Sequence, residues 1–218
     1  MGTHAAMQYA QRLARRHPYV LKMDVRRFYP SVPHDELKRQ VAGVVAEERL
    51  RDVLGRVIDS YGQGRGIPIG ALTSQWLALL MLRPLHLHLL LRLRTRFCAY
   101  MDDHLAFGAG KGELRYVRDR IVEFLPRLGL EAHPGKRVIH RTADGFPFAG
   151  FRVFPTHVRV AGRSKVRAVR RMRRWAAASR ERRVEPDRVR CAVASWFGHW
   201  GWAQSYYLRK ATLCAMRF

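Results

Sequence analysis

Residues 97–107 read FCAYMDDHLAF. Apolar runs flank the adjacent acids Asp102 and Asp103, so the pattern predicts a β-hairpin with carboxylates at its tip. A further acid, Asp24, follows the apolar run 19–23, which we interpret as another strand. Carboxylates beside buried strands are costly unless a cation neutralises them, and adjacent aspartates repel each other. The pattern indicates a divalent metal site, and the alternative is a polar hairpin turn, where aspartate is also favoured.

The oxygen donors of these three carboxylates indicate which metal the site would bind. Hard oxygen ligands favour Mg²⁺, which keeps several waters and is shared with substrate phosphates. Two such ions about 3.5 to 4 Å apart would stabilise both the attacking and the leaving oxygen of a displacement at a phosphate. The cysteines at 98, 191 and 214 are scattered, which argues against a zinc site and a disulfide framework. A reducing cytoplasm is the location that this cysteine usage predicts.

The charge of the chain predicts a polyanionic partner. The 218 residues carry 41 Lys and Arg against 17 Asp and Glu, a net charge of +24, while 48% hydrophobic residues suffice for a core. A disordered basic tail is therefore excluded. Nucleic acid is the partner we expect, and an anionic membrane surface is the alternative. The apolar stretch 67–82 contains Thr73, Ser74 and Gln75 and runs into Arg83, so it cannot fill a bilayer span.

The excess charge is concentrated late in the chain, where residues 159–190 carry +10. Apolar residues recur every three positions between Val166 and Trp175, which predicts an amphipathic helix over 163–183 with a basic outer face. A solvated helix face is the alternative, but like charges at this density repel each other across a turn. We therefore predict nucleic-acid binding by Arg163, Lys165, Arg167, Arg170, Arg171 and Arg174.

A second helix is predicted to begin near Asp187 and to carry many aromatic residues. Trp196 and Trp200 lie at helical spacing, and Trp202, Tyr206 and Tyr207 follow. These rings suit a base-stacking surface, but the spacing favours the core of a small helical subdomain.

The middle of the chain alternates strands and helices. Two hairpins, with two or three helices packed on one side, predict an α+β sandwich. Pro84 should kink the longest helix. The predicted elements are a strand over 19–25, helices over 35–60, 74–94 and 114–128, and hairpins over 97–107 and 146–160.

Two of these segments resemble motifs of the reverse transcriptases. YMDD at residues 100–103 matches the YxDD hairpin of that family, and DVRRFYPS at 24–31 resembles its first palm motif. The resemblance implies that Asp24 and Asp102 are the principal Mg²⁺ ligands. It also implies that Asp103 is the third catalytic carboxylate and that the Val25 carbonyl supplies a further oxygen.

The same resemblance implies a nucleotide site. Tyr29, beside Phe28, stands where the family places an aromatic gate against the nucleotide 2′-hydroxyl, which implies a DNA product. GIPIGALTSQ at 66–75 resembles the loop and helix start under the nascent base pair, with Ile69, Gly70 and Gln75 facing the nucleotide.

From the residues alone, Pro68 and Gly70 set a turn in this loop, and Thr73 or Ser74 can cap the helix. The helix N–H groups would then face the template or nucleotide. An ordinary helix start is the alternative.

Two downstream segments complete the resemblance. LEAHPGK at 130–136 is similar to the segment that carries a lysine near the triphosphate, so Lys136 becomes a candidate proton donor to pyrophosphate; the alternative is a solvated surface lysine. FPFAGF at 146–151 resembles the primer-grip hairpin, with Phe148, Gly150 and Phe151 as the grip, because Gly150 allows close backbone approach.

The fold that follows is that of a right-hand polymerase. We expect an α+β palm over 1–160, an antiparallel sheet with helices on one face, followed by a small basic helical thumb over 161–218. The sequence begins with residues that resemble the end of the fingers, so we expect most of the N-terminal fingers to be lacking.

The form I-G-x-x-x-S-Q at 69–75 is similar to the reverse transcriptases of diversity-generating retroelements, which copy a template RNA with errors at adenines. That type implies template RNA, primer or cDNA, deoxynucleotides and a small basic helical accessory protein as partners. Retron, group II intron and phage-defence reverse transcriptases are the alternatives, as is an inactive RNA-binding remnant. The departures from the family pattern are Leu79 for Asn, His86 for Asp, His104 for an apolar residue, and Ala149 for Leu.

Overall fold

The computed structural model describes residues 2–214, which form two compact units. The first unit comprises residues 16–141, and the second comprises residues 2–15 and 142–214. The helices are α1 (Thr3–Ala14), α2 (Phe28–Ser31), α3 (His34–Ala42), α4 (Glu48–Asp59), α5 (Leu72–Leu87), α6 (Lys111–Phe124), α7 (Gly162–Arg180), α8 (Pro186–Trp200) and α9 (Tyr206–Cys214). The strands are β1 (Tyr19–Asp24), β2 (Arg96–Tyr100), β3 (Asp103–Gly108), β4 (Val138–Arg141), β5 (Phe146–Phe148), β6 (Phe151–Val153) and β7 (Val158–Val160).

A four-stranded antiparallel sheet organises the first unit, in the order β2-β3-β1-β4. The predicted 97–107 hairpin is confirmed as β2 and β3, joined by two residues between the paired Tyr100 and Asp103. Strand β1 lies beside β3 in a register that sets Asp24 opposite Asp103. The end of β1 therefore meets the tip of the hairpin.

Helices cover one face of this sheet. Leu21 and Met23 of β1 and Ala106 of β3 alternate onto a face that packs against apolar residues of α5 and α6, including Met81 and Ile121. These residues belong to one buried core that extends to α3. The predicted α+β palm, an antiparallel sheet with helices on one face, is therefore the fold observed.

The second unit combines a small sheet with the helices that follow it. Strands β5, β6 and β7 form an antiparallel sheet in sequence order. Ala168 and Met172 of α7 pack with Val189, Val193 and Trp200 of α8 in a buried cluster. The predicted division at residue 160 into palm and thumb stays a prediction, since the compact units divide at residue 141 instead.

Two predicted elements differ from those observed. The helix predicted over 35–60 is two helices, because α3 ends at Ala42 and residues 43–47 form no helix. The kink predicted at Pro84 stays a prediction; Pro84 lies inside α5, and a π-helical turn follows the helix over His88–Arg92. The hairpin predicted over 146–160 has a third strand, β7.

The aromatic residues after α8 are also placed differently from the prediction. Trp200 is fully buried, as expected, but Trp202, Tyr206 and Tyr207 are exposed, Tyr207 by 82%. Helical spacing alone did not reveal that α9 packs through its other side, where Thr212 is buried.

None of the described helices is both long enough and apolar enough to span a membrane.

Candidate functional site

The sheet register places the three predicted carboxylates at the same end of the sheet. Asp24 is the last residue of β1, Asp103 is the first residue of β3, and the two are paired across the strands. Asp102 lies in the two-residue turn before β3. Met101, the other turn residue, has a φ of 55°, a left-handed conformation that is strained for a side chain with a Cβ.

Burial and mutual repulsion set the electrostatics of this carboxylate cluster. Burial raises the pKa of Asp102 above its usual range, and the charges of Asp24 and Asp103 raise it further, while Lys136 opposes them. Asp24 is only 8% exposed. Concentrated negative charge at low solvent exposure favours a bound cation.

Two lysines supply part of that positive charge. Lys136 donates to the carboxylate of Asp24. The Lys22 ammonium lies 2.9 Å from Asp103. The hydrogen bond to Asp24, followed by the charges of Asp103 and Asp102, raises the pKa of Lys136. The lysine ammoniums and a divalent cation would therefore compete for the same oxygens.

The donor set fits a hard divalent cation. Within residues 2–214, no three Asp, Glu, His or Cys side chains are gathered closely enough to form a complete ligand set. Asp24 and Asp102 nevertheless interact through space, and both offer only oxygen. The hydrogen bonds on either side of Val25 use the Asp24 carbonyl and the Arg26 N–H, so neither engages the Val25 carbonyl. Two carboxylates and a peptide oxygen are ligands typical of Mg²⁺.

The predicted gate residue lies beside this cluster. Tyr29 belongs to the short helix α2, and burial together with the charges of Asp102 and Tyr100 raises its pKa. Its phenol is therefore protonated and close to Asp102. Phe28 is 3% exposed and packs in the core, which does not favour the predicted contact with a nucleotide. That contact stays a prediction.

Backbone hydrogen bonds hold the 66–75 loop against α2. The Ile67 N–H donates to the Tyr29 carbonyl at 2.9 Å, and the Gly66 N–H donates to Val32 at 2.8 Å. Gly66 has a φ of 98°, and a Cβ there would lie 3.1 Å from the Tyr61 ring. The loop thus depends on a glycine to reach Tyr29.

The side chains predicted to face the nucleotide are displayed at the end of this loop. Ile69 is 76% exposed, and Gly70 and Gln75 are exposed as well. The capping prediction is wrong, since α5 begins after Ala71 without a side-chain cap. Ser74 is buried instead, and within the described chain its hydroxyl has no hydrogen-bond partner.

The segment that carries Lys136 is tied directly to β1. The His133 N–H donates to the Asp24 carbonyl at 2.9 Å, and the Arg26 N–H donates to the Glu131 carbonyl at 2.7 Å. This short pairing places Lys136 at Asp24. A surface lysine without a role, the sequence-based alternative, is not favoured by this position.

The predicted primer grip forms a tight hairpin between β5 and β6. Ala149 and Gly150 both have positive φ, 48° and 86°, which is typical of a type I′ turn. Phe148 and Phe151 are paired and buried, whereas Gly150 in the turn is exposed. A contact with a primer stays a prediction.

Helix α7 displays the predicted nucleic-acid-binding residues on its outer side. Ala168, Met172 and Ala176 are buried, while all six predicted cations are exposed. Among residues 2–214, none of those six lies within 4 Å of a carboxylate. An open cleft of about 500 Å³ runs along Arg163, Arg167 and Arg170. The charge of α7 is therefore available to an external anion.

Two features of the site were missed in the sequence. Lys22 stands two residues before Asp24 in β1, so both side chains project to the same side of the strand, and this alternation could have revealed it. His86 of α5 and His104 of β3 lie in contact, with their Nε2 atoms 3.0 Å apart. Burial, and then the proximity of His104, lowers the pKa of His86 to about 3. Burial also lowers the pKa of His104.

Comparison with known proteins decides the family. Residues 2–153 match the family described as reverse transcriptase (RNA-dependent DNA polymerase). The chain belongs to the reverse transcriptase family. Reverse transcriptases generally use divalent metal ions, in agreement with the oxygen donors at Asp24 and Asp102. No curated protein gives a significant match.

Solved structures of telomerase from Candida tropicalis share the fold of this reverse transcriptase. The apo enzyme aligns with a TM-score of 0.60 at 14% identity, over 76% of this chain and 36% of the telomerase chain. A form truncated from its C-terminal domain gives 0.55 at 14% identity, over 73% and 39%. A complex with a TWJ fragment of telomeric RNA gives 0.54 at 14%, over 70% and 31%. The aligned region thus spans about a third of those chains, and identity this low shows the fold alone.

Proposed function

We propose that this protein is an RNA-directed DNA polymerase that extends a DNA or RNA primer on an RNA template with two Mg²⁺ ions. The observation that carries the proposal is the register that sets Asp24 opposite Asp103, with Asp102 in the adjoining turn. Membership of the reverse transcriptase family supports it.

The metal ligands in this proposal are Asp24, Asp102 and the Val25 carbonyl, with Asp103 as the third carboxylate. When bound, two Mg²⁺ ions supply the positive charge that activates a primer 3′-hydroxyl and stabilises a leaving pyrophosphate. Lys136 and Lys22 hold Asp24 and Asp103 in place through ion pairs until the substrates bind.

Two further side chains act on the incoming nucleotide. Tyr29 lies beside Asp102, and its ring excludes a 2′-hydroxyl by its bulk, so the product is DNA. Lys136 has a raised pKa and is therefore protonated near neutral pH. It can donate that proton to the leaving pyrophosphate, as a general acid within reach of the reacting groups.

Helix α7 holds the template and primer in this proposal. Its exposed arginines have no acidic partner among the described residues, so they can neutralise phosphates along a strand. A small basic helical accessory protein is the further partner that the retroelement type implies. The scattered positions of the three cysteines support the cytoplasm as the location we propose.

Primer extension tests the enzymatic proposal. The wild-type chain should extend an oligo(dT) primer on poly(rA) with Mg²⁺ and dTTP, and Asp102→Asn should abolish synthesis. Asp119→Asn is the matched control, because Asp119 is an exposed carboxylate on α6, 2.8 Å from Arg118. Synthesis that survives Asp102→Asn would contradict the assignment of the catalytic site.

The retroelement type is the finer part of the proposal. Ile69 stands, exposed, where most of the family has Gln, so a hydrogen-bonding amide is lost near the nascent base pair. The enzyme should therefore incorporate mismatched nucleotides more often. Retron, group II intron and phage-defence enzymes are the alternatives within the family.

Sequencing of cDNA copied from an adenine-rich RNA tests this type. Ile69→Gln should lower misincorporation opposite adenine. Leu72→Gln, at a similarly exposed apolar position three residues later, should leave the error spectrum unchanged. An unaltered spectrum in Ile69→Gln would contradict a role for Ile69 in fidelity.

A second candidate is an inactive RNA-binding remnant. The observations that favour it are the ion pairs of Lys136 and Lys22, which already neutralise Asp24 and Asp103, and the unpaired cations of α7. RNA binding by the wild-type chain without any DNA synthesis would select this candidate.

A further inference from the structure

Two histidines link helix α5 to the turn that carries Asp102. His104 is buried in β3, and its Nδ1 lies 2.9 Å from the backbone carbonyl oxygen of Asp102. Its other nitrogen, Nε2, lies 3.0 Å from Nε2 of His86 in α5. The His86 ring packs against Phe97 of β2, with ring centroids 5.5 Å apart. A continuous chain of contacts therefore runs from α5 to the Asp102 peptide.

The chemistry of the acceptor fixes both tautomers. A peptide carbonyl can only accept, so Nδ1 of His104 must carry the proton. A neutral imidazole has one N–H, so Nε2 of His104 is left as an acceptor. Nε2 of His86 must then donate to it. The two contacts thus place the ring proton on Nδ1 in His104 and on Nε2 in His86.

We propose that His86 and His104 are positioning residues, a tautomer-locked pair that holds the Asp102 turn in the conformation needed for cation binding. The turn needs such support because Met101 has a φ of 55°, which is unfavourable for any residue with a Cβ. The hydrogen bond from His104 fixes the carbonyl that follows Met101 in the chain. His86 in turn orients the His104 ring, as outer hydrogen-bond partners orient the ligands of metal sites.

The sequence supports a joint role for the two residues. His86 and His104 are both departures from the family pattern, they stand 18 residues apart, and the fold places them in direct contact. Either replacement alone would leave a buried imidazole nitrogen without its partner, which is unfavourable. The two side chains therefore depend on each other.

Nitrogen-15 NMR of the histidine side chains tests the tautomer assignment without any activity. The wild-type protein should show the Nδ1–H form for His104 and the Nε2–H form for His86. In His104→Phe, the His86 signal should move toward a mixture of tautomers, because Nε2 of His104 is the acceptor that fixes the His86 proton. An Nε2–H form of His104 in the wild type, or an unchanged His86 signal in His104→Phe, would overturn the proposal.

Steady-state kinetics test the consequence for Asp102. His86→Phe should lower kcat for primer extension about twofold to tenfold, the range expected for one lost hydrogen bond, with KM for the primer–template unchanged. His86→Gln retains an N–H donor and should recover most of the rate. His88→Phe is the matched control, because His88 stacks on Phe124 outside the pair.

The kinetic arm depends on the proposed polymerase activity, whereas the NMR arm does not. Failure of the tautomer assignment therefore refutes this pair, and absence of synthesis in the wild type refutes the proposed function. The proposal would also be overturned if the rate fell equally in three variants, because that would show a packing role only. These variants are His86→Phe, His86→Gln and His88→Phe.

Discussion

Replacement of Lys136 by Met should destabilise the metal-free protein and strengthen its response to Mg²⁺. Lys136 donates to Asp24, whose side chain is 9% exposed, so its loss leaves a nearly buried carboxylate without its ion-pair partner. Breaking a buried pair costs about 3 to 5 kcal/mol. The Lys136 side chain is 53% exposed, so solvent screening reduces the cost to about 1 to 2 kcal/mol.

For a chain of this size, that cost lowers Tm by about 3 to 6 °C. Mg²⁺ should then stabilise Lys136→Met more than the wild type, because the cation no longer displaces an ammonium from Asp24. A tenfold gain in affinity adds about 1.4 kcal/mol to the stabilisation at saturating Mg²⁺. The loss of stability in Lys136→Met should be constant between pH 6 and 9. The pKa of Lys136 is raised in the folded protein, so the ion pair contributes its full stability below the ordinary pKa of lysine and is lost only as the pH rises above that value.

Thermal denaturation with and without Mg²⁺ is the assay. Arg137→Met is the matched control, since Arg137 is the adjacent cation and its Nε bonds the Pro134 carbonyl rather than a carboxylate. An unchanged Tm in Lys136→Met, or an Mg²⁺ shift equal to that of the wild type, would refute the competition between lysine and cation for Asp24.

Three further predictions concern the same site and α7. Asp102→Asn should abolish synthesis. It should also increase the free energy of unfolding of the metal-free protein by on the order of 1 kcal/mol, and so raise its Tm, because it removes a buried charge. Since the folded pKa of Asp102 is raised, this gain should vanish as the pH falls below its ordinary value, which a pH series of melting curves would show. Tyr29→Ala should increase ribonucleotide incorporation at least tenfold relative to deoxynucleotide in primer extension, and equal discrimination would remove Tyr29 as the gate. Changing Arg163, Arg167 and Arg170 together to Gln should reduce the slope of log affinity against log salt by about 2 to 3 for RNA–DNA duplex, whereas an unchanged slope would exclude this face as a phosphate contact.

The cluster of carboxylates could be predicted from sequence because it depends on strand alternation and a two-residue turn. Asp24, Asp102 and Asp103 are acids in apolar strands, and antiparallel pairing brings the ends of those strands together. The lysine partners could not be predicted in the same way. Lys136 reaches Asp24 only through the pairing of residues near Ala132 with Val25, a contact across more than 100 residues.

Other misses have a similar origin in tertiary packing. Phe28 packs in the core after the left-handed Arg27, and its predicted contact with the nucleotide stays a prediction. Tyr206 follows a helical spacing that fits a core equally well, and it is exposed because α9 packs through its other side, where Thr212 is buried. The helix break at Gly43 required knowing that α3 and α4 pack on each other.

Cation binding by the carboxylates of β1 and the β2–β3 turn is the central claim, and Mn²⁺ titration followed by electron paramagnetic resonance tests it most directly. The wild type and Asp119→Asn should both bind Mn²⁺, with Mg²⁺ competing for the site. Asp24→Asn and Asp102→Asn should each lose that binding. Equal Mn²⁺ binding by all four proteins would contradict the assignment of Asp24 and Asp102 as metal ligands.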